Sequence, residues 1–368
     1  MAGIIISKTT AGLADGNNAL IGKLATPLKM YILKQSKDAE KKDGPAKWIC
    51  DMDTSDRFAE SAVAVARRSG LELTEPGANY PQYDRHETDL VTIYHHQYTR
   101  FEVIPRADVA DSRGGVTSEM RRQLRFLTGD YYVTKNQLAA AMIISGTKTK
   151  HYFPNGKSIL LPAPADKALY CKDHPIGDDG DTQSNLFYTT RAAGTNIDFS
   201  MVSDIMGEAS VRLRNMMTND GTASGFTANY MIIPGNNRAL ETACKKAIGS
   251  ELSDNGASSS NGINIQHGNW GLIVLTDWKV ADGRCPIAFM STYARDMLGG
   301  FKMFDREPLE INDSVNPLNG NYQWSAYSRI GIGSYTYLHT LMIESLANGT
   351  TTLYDGQTAE TAATKITL

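Results

Sequence analysis

The 368-residue sequence has almost no excess of either charge: 37 Lys and Arg against 40 Asp and Glu leave a formal net charge of −3. A nucleic-acid condenser needs a basic surplus, so that class is excluded for the chain as a whole. Long hydrophobic runs are missing too. The longest apolar stretch, Leu138 to Ile144, is far short of the roughly 20 residues that span a bilayer as a helix. The opening MAGIIISKTT has no basic n-region and too short an apolar run for a secretory leader. A soluble protein made in a cytoplasm is therefore expected. Cysteine is sparse: Cys50, Cys171, Cys244 and Cys285 form no CxxC pair, which argues against a disulfide scaffold and for buried free thiols.

What is present is ordinary globular material, 41% hydrophobic and 21% charged. A chain beyond about 250–300 residues divides its core, so at least two packed regions are expected. Residues 1–50 read as an extended arm, and the spacing of Phe58, Ala62, Val65 and Ala66 predicts a short helix over 53–68, stopped by Gly70. Residues 71–104 have two β-prone ends around a Pro/Gly/Asn-rich middle, the pattern of a long hairpin. Its polar, aromatic-rich strands need another surface to lie on.

The strongest helix signal runs from Thr117 to Ile144, where Met120, Leu124, Leu127, Tyr131 and Leu138 form one apolar stripe and Thr117 can cap the start. Gly129 can mark a bend within it. A second helix is predicted from Asp198 to Met217, ended by the TNDG sequence at Gly221. ANYMIIP then reads as a short buried strand and 236–248 as a helix. After the Ser/Gly/Asn-rich 251–262, the pattern is mainly β: GINIQ, GLIVLTDW, PIAFMS, EPLEI, NYQWSAYSRIGIG and TYLHTLMIES. The Thr/Ala/Gly-rich tail from Asn348 suits an arm or an edge segment.

Sites for chemistry are few. Cys171 and His174, three residues apart and followed by Asp178, Asp179 and Asp181, could share a metal, with a polar turn as the plainer reading. The run lacks the spacing and closing Glu of a calcium loop. His95 and His96 on a strand point to opposite faces. His86, His151, His267 and His339 are isolated. Ser224, in Gly221-Thr222-Ala223-Ser224-Gly225, is one place late for a nucleophile elbow. Gly331-Ile332-Gly333 starts a dinucleotide fingerprint without completing it. The aromatics of NYQWSAY and SYTY alternate at strand spacing with few basic neighbours, which favours packing over base stacking. No catalytic, cofactor-binding or metal residue is assigned.

The order of elements resembles the tailed-phage major capsid proteins of the Hong Kong 97 fold: arm, long hairpin, spine helix, helix ending at DG, strand ending in Pro, β-rich return. Local phrases are most similar to the Mu-like major head subunit group. They are Asn155-Gly156-Lys157, Ala168-Leu169-Tyr170-Cys171 leading to His174-Pro175, Ser184-Asn185-Leu186, Asp220-Gly221, Tyr230-Met231-Ile232-Ile233-Pro234, and Tyr322-Gln323-Trp324 with Ser328-Arg329. The likeness spans roughly residues 55–345. Asn155 departs from the group's Asp, and Tyr170-Cys171 from its Phe-Ser.

The resemblance implies an α+β fold: an N-terminal arm with a short helix (1–67), an extended hairpin loop (68–106), a peripheral domain with the spine helix (107–224 and 305–368) and an axial domain (225–304). It makes the Cys171–His174 segment a structural turn. It implies a structural, non-enzymatic subunit of an icosahedral virion shell, assembled from hexamers and pentamers in the host cytoplasm. The implied partners are further copies of itself, a separate scaffolding protein, a portal, cementing or decoration proteins, and packaged double-stranded DNA through non-specific contacts. No cofactor is implied. Some relatives lock their shells with a Lys–Asn bond from the extended loop; no Lys stands between Lys47 and Lys135 here, so non-covalent locking is expected. The alternatives are an encapsulin-type compartment and a metal-dependent hydrolase using Cys171, His174 and Asp178.

Overall fold

A computed structural model of the chain describes residues 5–6, 27–28, 30–31, 44–63, 90–111, 117–176, 180–219, 221–251 and 264–368. In chain order the strands are β1 (Ile5–Ile6), β2 (Asp51–Thr54), β3 (Ala59–Val63), β4 (Leu90–Ile104), β5 (Lys150–Tyr152), β6 (Ser158–Leu160), β7 (His174–Ile176), β8 (Asp181–Gln183), β9 (Leu186–Arg191), β10 (Tyr230–Pro234), β11 (Gly271–Leu275), β12 (Cys285–Met290), β13 (Phe301–Val315), β14 (Tyr322–Ser334), β15 (Thr340–Ala347) and β16 (Thr364–Lys365). The helices are α1 (Pro45–Ile49), α2 (Arg106–Asp111), α3 (Ser118–Ile144), α4 (Phe199–Asn215), α5 (Arg238–Gly249), α6 (Thr292–Leu298) and α7 (Ala359–Ala362). The class is α+β, as expected.

The chain divides into two compact units: residues 1–60, 94–139 and 303–332 form the first, and 61–93, 140–302 and 333–368 the second. The first unit holds most of a sheet ordered β1-β13-β14-β4-β3, with β2 also on β13. The 15-residue β4 runs antiparallel to β14 from His95–Gly331 to Ile104–Tyr322. Here α3 supplies the helical layer. Thr117 Oγ1 accepts from the Met120 N–H at 3.3 Å, and Met120, Leu124, Leu127, Tyr131 and Leu138 are all buried. Arg121, Arg122 and Arg125 face solvent. The 27-residue helix is continuous through Gly129. Tyr322 and Trp324 pack edge to face at 5.6 Å and are fully buried, so two of the three NYQWSAY aromatics are core, while Tyr327 is half-buried.

The second unit is built on a sheet ordered β11-β10-β12-β15-β9-β16. Every residue of β12 is buried, as is all of β15 except its last, which is why these strands read as nearly unbroken apolar runs. α4 packs on β15, capped by Asp198 Oδ1 accepting from the Met201 N–H at 2.9 Å. α5 lies against β11, capped in the same way by Asn237 on Leu240 at 3.0 Å. Beyond Asn348 the tail is integral: Leu353, Ala363 and Ile366 are buried, and β16 closes one sheet edge on β9.

Several expectations are corrected. The helix over 53–68 is absent where the segment is described: β2 and β3 take its place, and the short helix of this region lies earlier, at Pro45–Ile49. Pairing with β13 outweighs the helical spacing, with the Ser55 N–H donating to the Asp305 carbonyl at 3.2 Å and Phe58 left 70% exposed. Residues 64–68 lie outside the described residues. The described part of GINIQ, from Asn264, is not a strand: residues 265–268 form a turn, because Asn264 donates to the Ala247 and Ser250 carbonyls while accepting from the Gln266 N–H, and Gly262 and Ile263 lie outside the described residues.

The second half of the hairpin over 71–104 is β4, a strand held between β14 and β3. Its first half lies outside the described residues, as do Asp178, Asp179 and His86. Residues 225–304 do not close a sheet of their own, since β10, β11 and β12 share theirs with β15 and β9.

Candidate functional site

The Cys171–His174 segment is organised by Asn185. The Asn185 Nδ2 donates to the Leu169 carbonyl at 2.7 Å, and its Oδ1 accepts from the Cys171 N–H at 3.0 Å and from His174 Nε2 at 3.2 Å. His174 is fully buried and stacks on Tyr337, with centroids 3.9 Å apart and planes 7° apart. Its Nε2 also faces the Leu169 carbonyl at 3.0 Å, which assigns the proton to Nε2 because both partners are acceptors. Burial holds the imidazole down at about 4 and pushes the Cys171 thiol up to about 11. Asp173 turns outward to Lys167 Nζ at 2.8 Å, and that bond keeps its carboxyl below the usual range. Among the described residues no three His, Cys, Asp or Glu side chains converge as metal ligands. The arrangement braces a turn, and Asn185, its organiser, was visible in the sequence only as the middle of Ser184-Asn185-Leu186.

The other candidates also resolve into packing. Ser224 is fully buried and donates to the Leu213 carbonyl at 2.8 Å, tying the loop after α4 back to that helix. His95 is buried edge-on against Phe304 at 6.2 Å, while His96 on the opposite face is half-buried. His339 is fully buried, T-shaped against Phe301 at 4.4 Å. Gly300 makes room for it: a Cβ there would lie 2.7 Å from the His339 ring. His151 meets Ser145 Oγ at 2.9 Å, and His267 belongs to the 265–268 turn.

One buried ionisable group stands apart from every sequence candidate. Glu344, on β15, is fully buried; its Oε2 accepts from the Tyr354 N–H at 2.7 Å, and its Oε1 lies 3.5 Å from the Arg284 guanidinium. Burial pushes its carboxyl up to about 7, against the opposing pull of the Tyr354 N–H and Arg284. The folded pKa lies above the ordinary 4.5, so the folded state binds the extra proton between those values. The contribution is therefore full below pH 4.5 and is lost as pH rises through about 7. The stability of the parent relative to Glu344→Gln, read by urea denaturation at each pH, is expected to fall by about 3 kcal/mol as pH rises from 4.5 to about 7. A parallel pH dependence in both proteins would refute it.

Clefts are shallow. In the first unit, a space of about 310 Å3 lies between α3 and the sheet, lined by Tyr98, Arg100, Asp130, Tyr131 and Val133. Arg100 and Asp130 bridge there at 2.5 Å. In the second unit, an open cleft of about 610 Å3 lies beside Arg212, which stacks on Phe187 at 4.5 Å and pairs with Glu208 at 2.7 Å. Neither brings a nucleophile to a base. Large apolar side chains do reach the surface: Phe58, Phe101, Phe126 and Leu318 in the first unit are each more than half exposed, as are Tyr152, Ile265, Tyr293 and Met297 in the second.

No protein-family model matches the chain, and no curated protein matches it. Solved structures do. The capsid of Ralstonia phage GP4 aligns with a TM-score of 0.48 at 13% identity, over 82% of this chain and 87% of that one. The capsid of an empty GTA particle aligns at 0.47 and 15%, over 83% and 92%. A satellite phage P4 procapsid that includes the size determination (Sid) protein aligns at 0.44 and 9%, over 93% and 94%.

Proposed function

We propose that the chain is the major capsid protein of a tailed phage, with the Hong Kong 97-like fold, assembling as hexamers and pentamers into an icosahedral shell around double-stranded DNA. The observation that carries this reading is the order of elements. A 27-residue spine helix is followed by a helix ending before Gly221, a strand ending at Pro234, and a β-rich return. The exposed Phe58, Phe101 and Phe126 support it, since apolar surface of this kind is normally covered by a partner. The likeness to the Mu-like group rests on the sequence phrases alone.

In this reading the unit that holds most of the spine helix takes the peripheral role, and the axial role falls to residues 225–304 within the unit built on the β11-β10-β12-β15-β9-β16 sheet. The chain is structural and not an enzyme. It works in the virion after assembly in the host cytoplasm, with a separate scaffolding protein, a portal and cementing proteins as partners and non-specific contact to DNA.

Expression of the full chain, with and without a co-expressed scaffold, is expected to give closed particles in electron micrographs with this chain as the dominant band. A monomer at every concentration under both conditions would overturn the reading. Co-purifying cargo enzyme in place of packaged DNA would replace it with an encapsulin-type compartment. Mature particles boiled in denaturant are expected to run as single chains, because no Lys lies between Lys47 and Lys135 to cross-link the loop. Covalent ladders on the gel would contradict that.

A further inference from the structure

The second unit carries a small hairpin, β5 and β6, closed by a turn at Asn155-Gly156 with Gly156 at φ +78°. Lys150 pairs with Leu160 and Tyr152 with Ser158, and residues paired across an antiparallel ladder share a face. All four are exposed, Tyr152 at 65% and Leu160 at 47%, while His151 and Ile159 on the opposite face are half-buried and buried. The face turned to solvent is thus the one carrying the large aromatic and the leucine. It is also uniformly basic: Lys148, Lys150 and Lys157 are exposed, and no Asp or Glu occurs from Ser145 to Ala165.

The first unit presents the opposite chemistry. β2 and the turn after it carry Asp51, Asp53 and Asp56, and residues 48–60 hold five acidic or basic side chains, four acidic and one basic. Asp53 and Asp56 are exposed beside Met52 at 42% and Phe58 at 70%, and Phe58 rests edge-on against the half-exposed Tyr94 at 6.5 Å. Arg57, the basic residue, lies 3.8 Å from Glu60. The hairpin patch thus combines exposed apolar side chains with basic charge, and the Asp53–Phe58 patch combines them with a net acidic charge despite Arg57 and Arg306, the latter 6.0 Å from the Phe58 ring centre, so the net signs are complementary.

We infer that the β5–β6 hairpin of one copy docks on the Asp53–Phe58 segment of a neighbouring copy, as one of the contacts between subunits. The exposed Tyr152 and Leu160 favour a protein partner over DNA, whose duplex backbone offers nothing apolar to cover them. The patch is small beside the roughly 1,200–2,000 Å2 of a stable interface, so it acts by repetition around the shell rather than by single-site affinity. Its charged part weakens with salt, because the screening length falls from about 10 Å at 0.1 M to about 3 Å at 1 M.

The inference rests on the capsid reading, and the test separates the two. The full chain is compared as the parent, as Lys150→Glu/Lys157→Glu, as Asp53→Lys/Asp56→Lys, and as the combination of all four, each confirmed to be folded by its thermal melt. The readout is the protein concentration at which particles form, by sedimentation under the conditions that assemble the parent. Each charge-reversed pair alone is expected to raise that concentration about tenfold, and the combination to return it to near the parental value. Absence of particles from the parent overturns both readings. An unchanged threshold in the Lys variant overturns the hairpin contact and leaves the capsid reading standing. Failure of the combination to recover overturns the docking of the hairpin on the Asp53–Phe58 segment. A Lys-variant threshold that shifts only when DNA is present would reassign the hairpin to the nucleic acid.

Discussion

Replacing Lys135 by methionine is expected to destabilise the first unit by about 3–5 kcal/mol, the cost of leaving one partner of a buried ion pair uncompensated. Lys135 lies on α3 with 8% of its surface exposed, its ammonium bonded to Asp305 on β13 and 4.7 Å from the Tyr131 ring centre. Asp305 is equally buried at 7%, and its other carboxylate oxygen has no hydrogen-bond partner among the described residues. Without the ammonium that carboxylate would be stranded against the sheet. The double variant Lys135→Met/Asp305→Leu removes both charges and fills the volume, so most of the stability is expected to return. Urea denaturation read through hydrogen exchange at the α3 amides measures both steps. A single-variant cost below about 1 kcal/mol would mean that the pair behaves like an exposed one.

That pair marks where the sequence stops being readable. The stripe on α3 steps by four, three and four residues and then by seven, from Tyr131 to Leu138, and Lys135 occupies the skipped position. The gap is visible locally, but the partner that fills it lies 170 residues away. Elements with strong local periodicity are legible: α3, α4, β10, β12 and β15 all fall where pattern and capping place them. β2 and β3 are not legible because their pairing is long-range: β2 lies on β13 and β3 on β4, and these partners override a helical spacing carried by four apolar residues. β13 was read only as EPLEI because Lys302, Asp305, Arg306, Glu307 and Glu310 interrupt its apolar pattern. The buried Asp305 shows that some of those charges point inward to a partner.

The chemistry-bearing clusters were legible only as residue types. His174 and Cys171 looked like ligands because their spacing is known from the chain alone, while Asn185 and Tyr337, which turn them into a brace, come from separate segments. Glu344 gave no signal at all in TLMIES, where a single acid in an apolar strand reads as an edge residue rather than a fully buried one. The surface features fared differently. The run from Ser145 to Ala165 without an acid is a sequence fact, but only the ladder register places Tyr152 and Leu160 on its solvent face.

Acid is expected to unfold the second unit through its two buried histidines. Burial holds His174 at about 4, with bonds from Leu169 and Asn185 opposing, and holds His339 at about 3, aided by the nearby positive charge of Arg295. Both lie below the ordinary 6.5, so the unfolded chain takes up protons first. Their contribution is full above pH 6.5 and is lost as pH falls through the folded values. The geometry gives the reason: protonating His174 would create an N–H at Nδ1, which has no hydrogen-bond partner among the described residues, and protonating His339 would place a charge on a fully buried ring near Arg295. Glu344 works in the opposite direction between pH 4.5 and 7. Two protons favouring the unfolded state against one favouring the folded state leave a net of one between pH 6.5 and 4.5, a loss of about 3 kcal/mol. Below pH 4.5 Glu344 is protonated in both states and its opposition ends, so the slope doubles. Stability of this unit should therefore peak near pH 6.5 and fall more steeply below 4.5. His339→Phe keeps an aromatic ring against Phe301 without a titrating nitrogen, and should flatten the acid limb between pH 6.5 and 4.5. Denaturant midpoints measured at half-unit pH steps decide it, and an acid limb of unchanged slope in His339→Phe would remove His339 from the account.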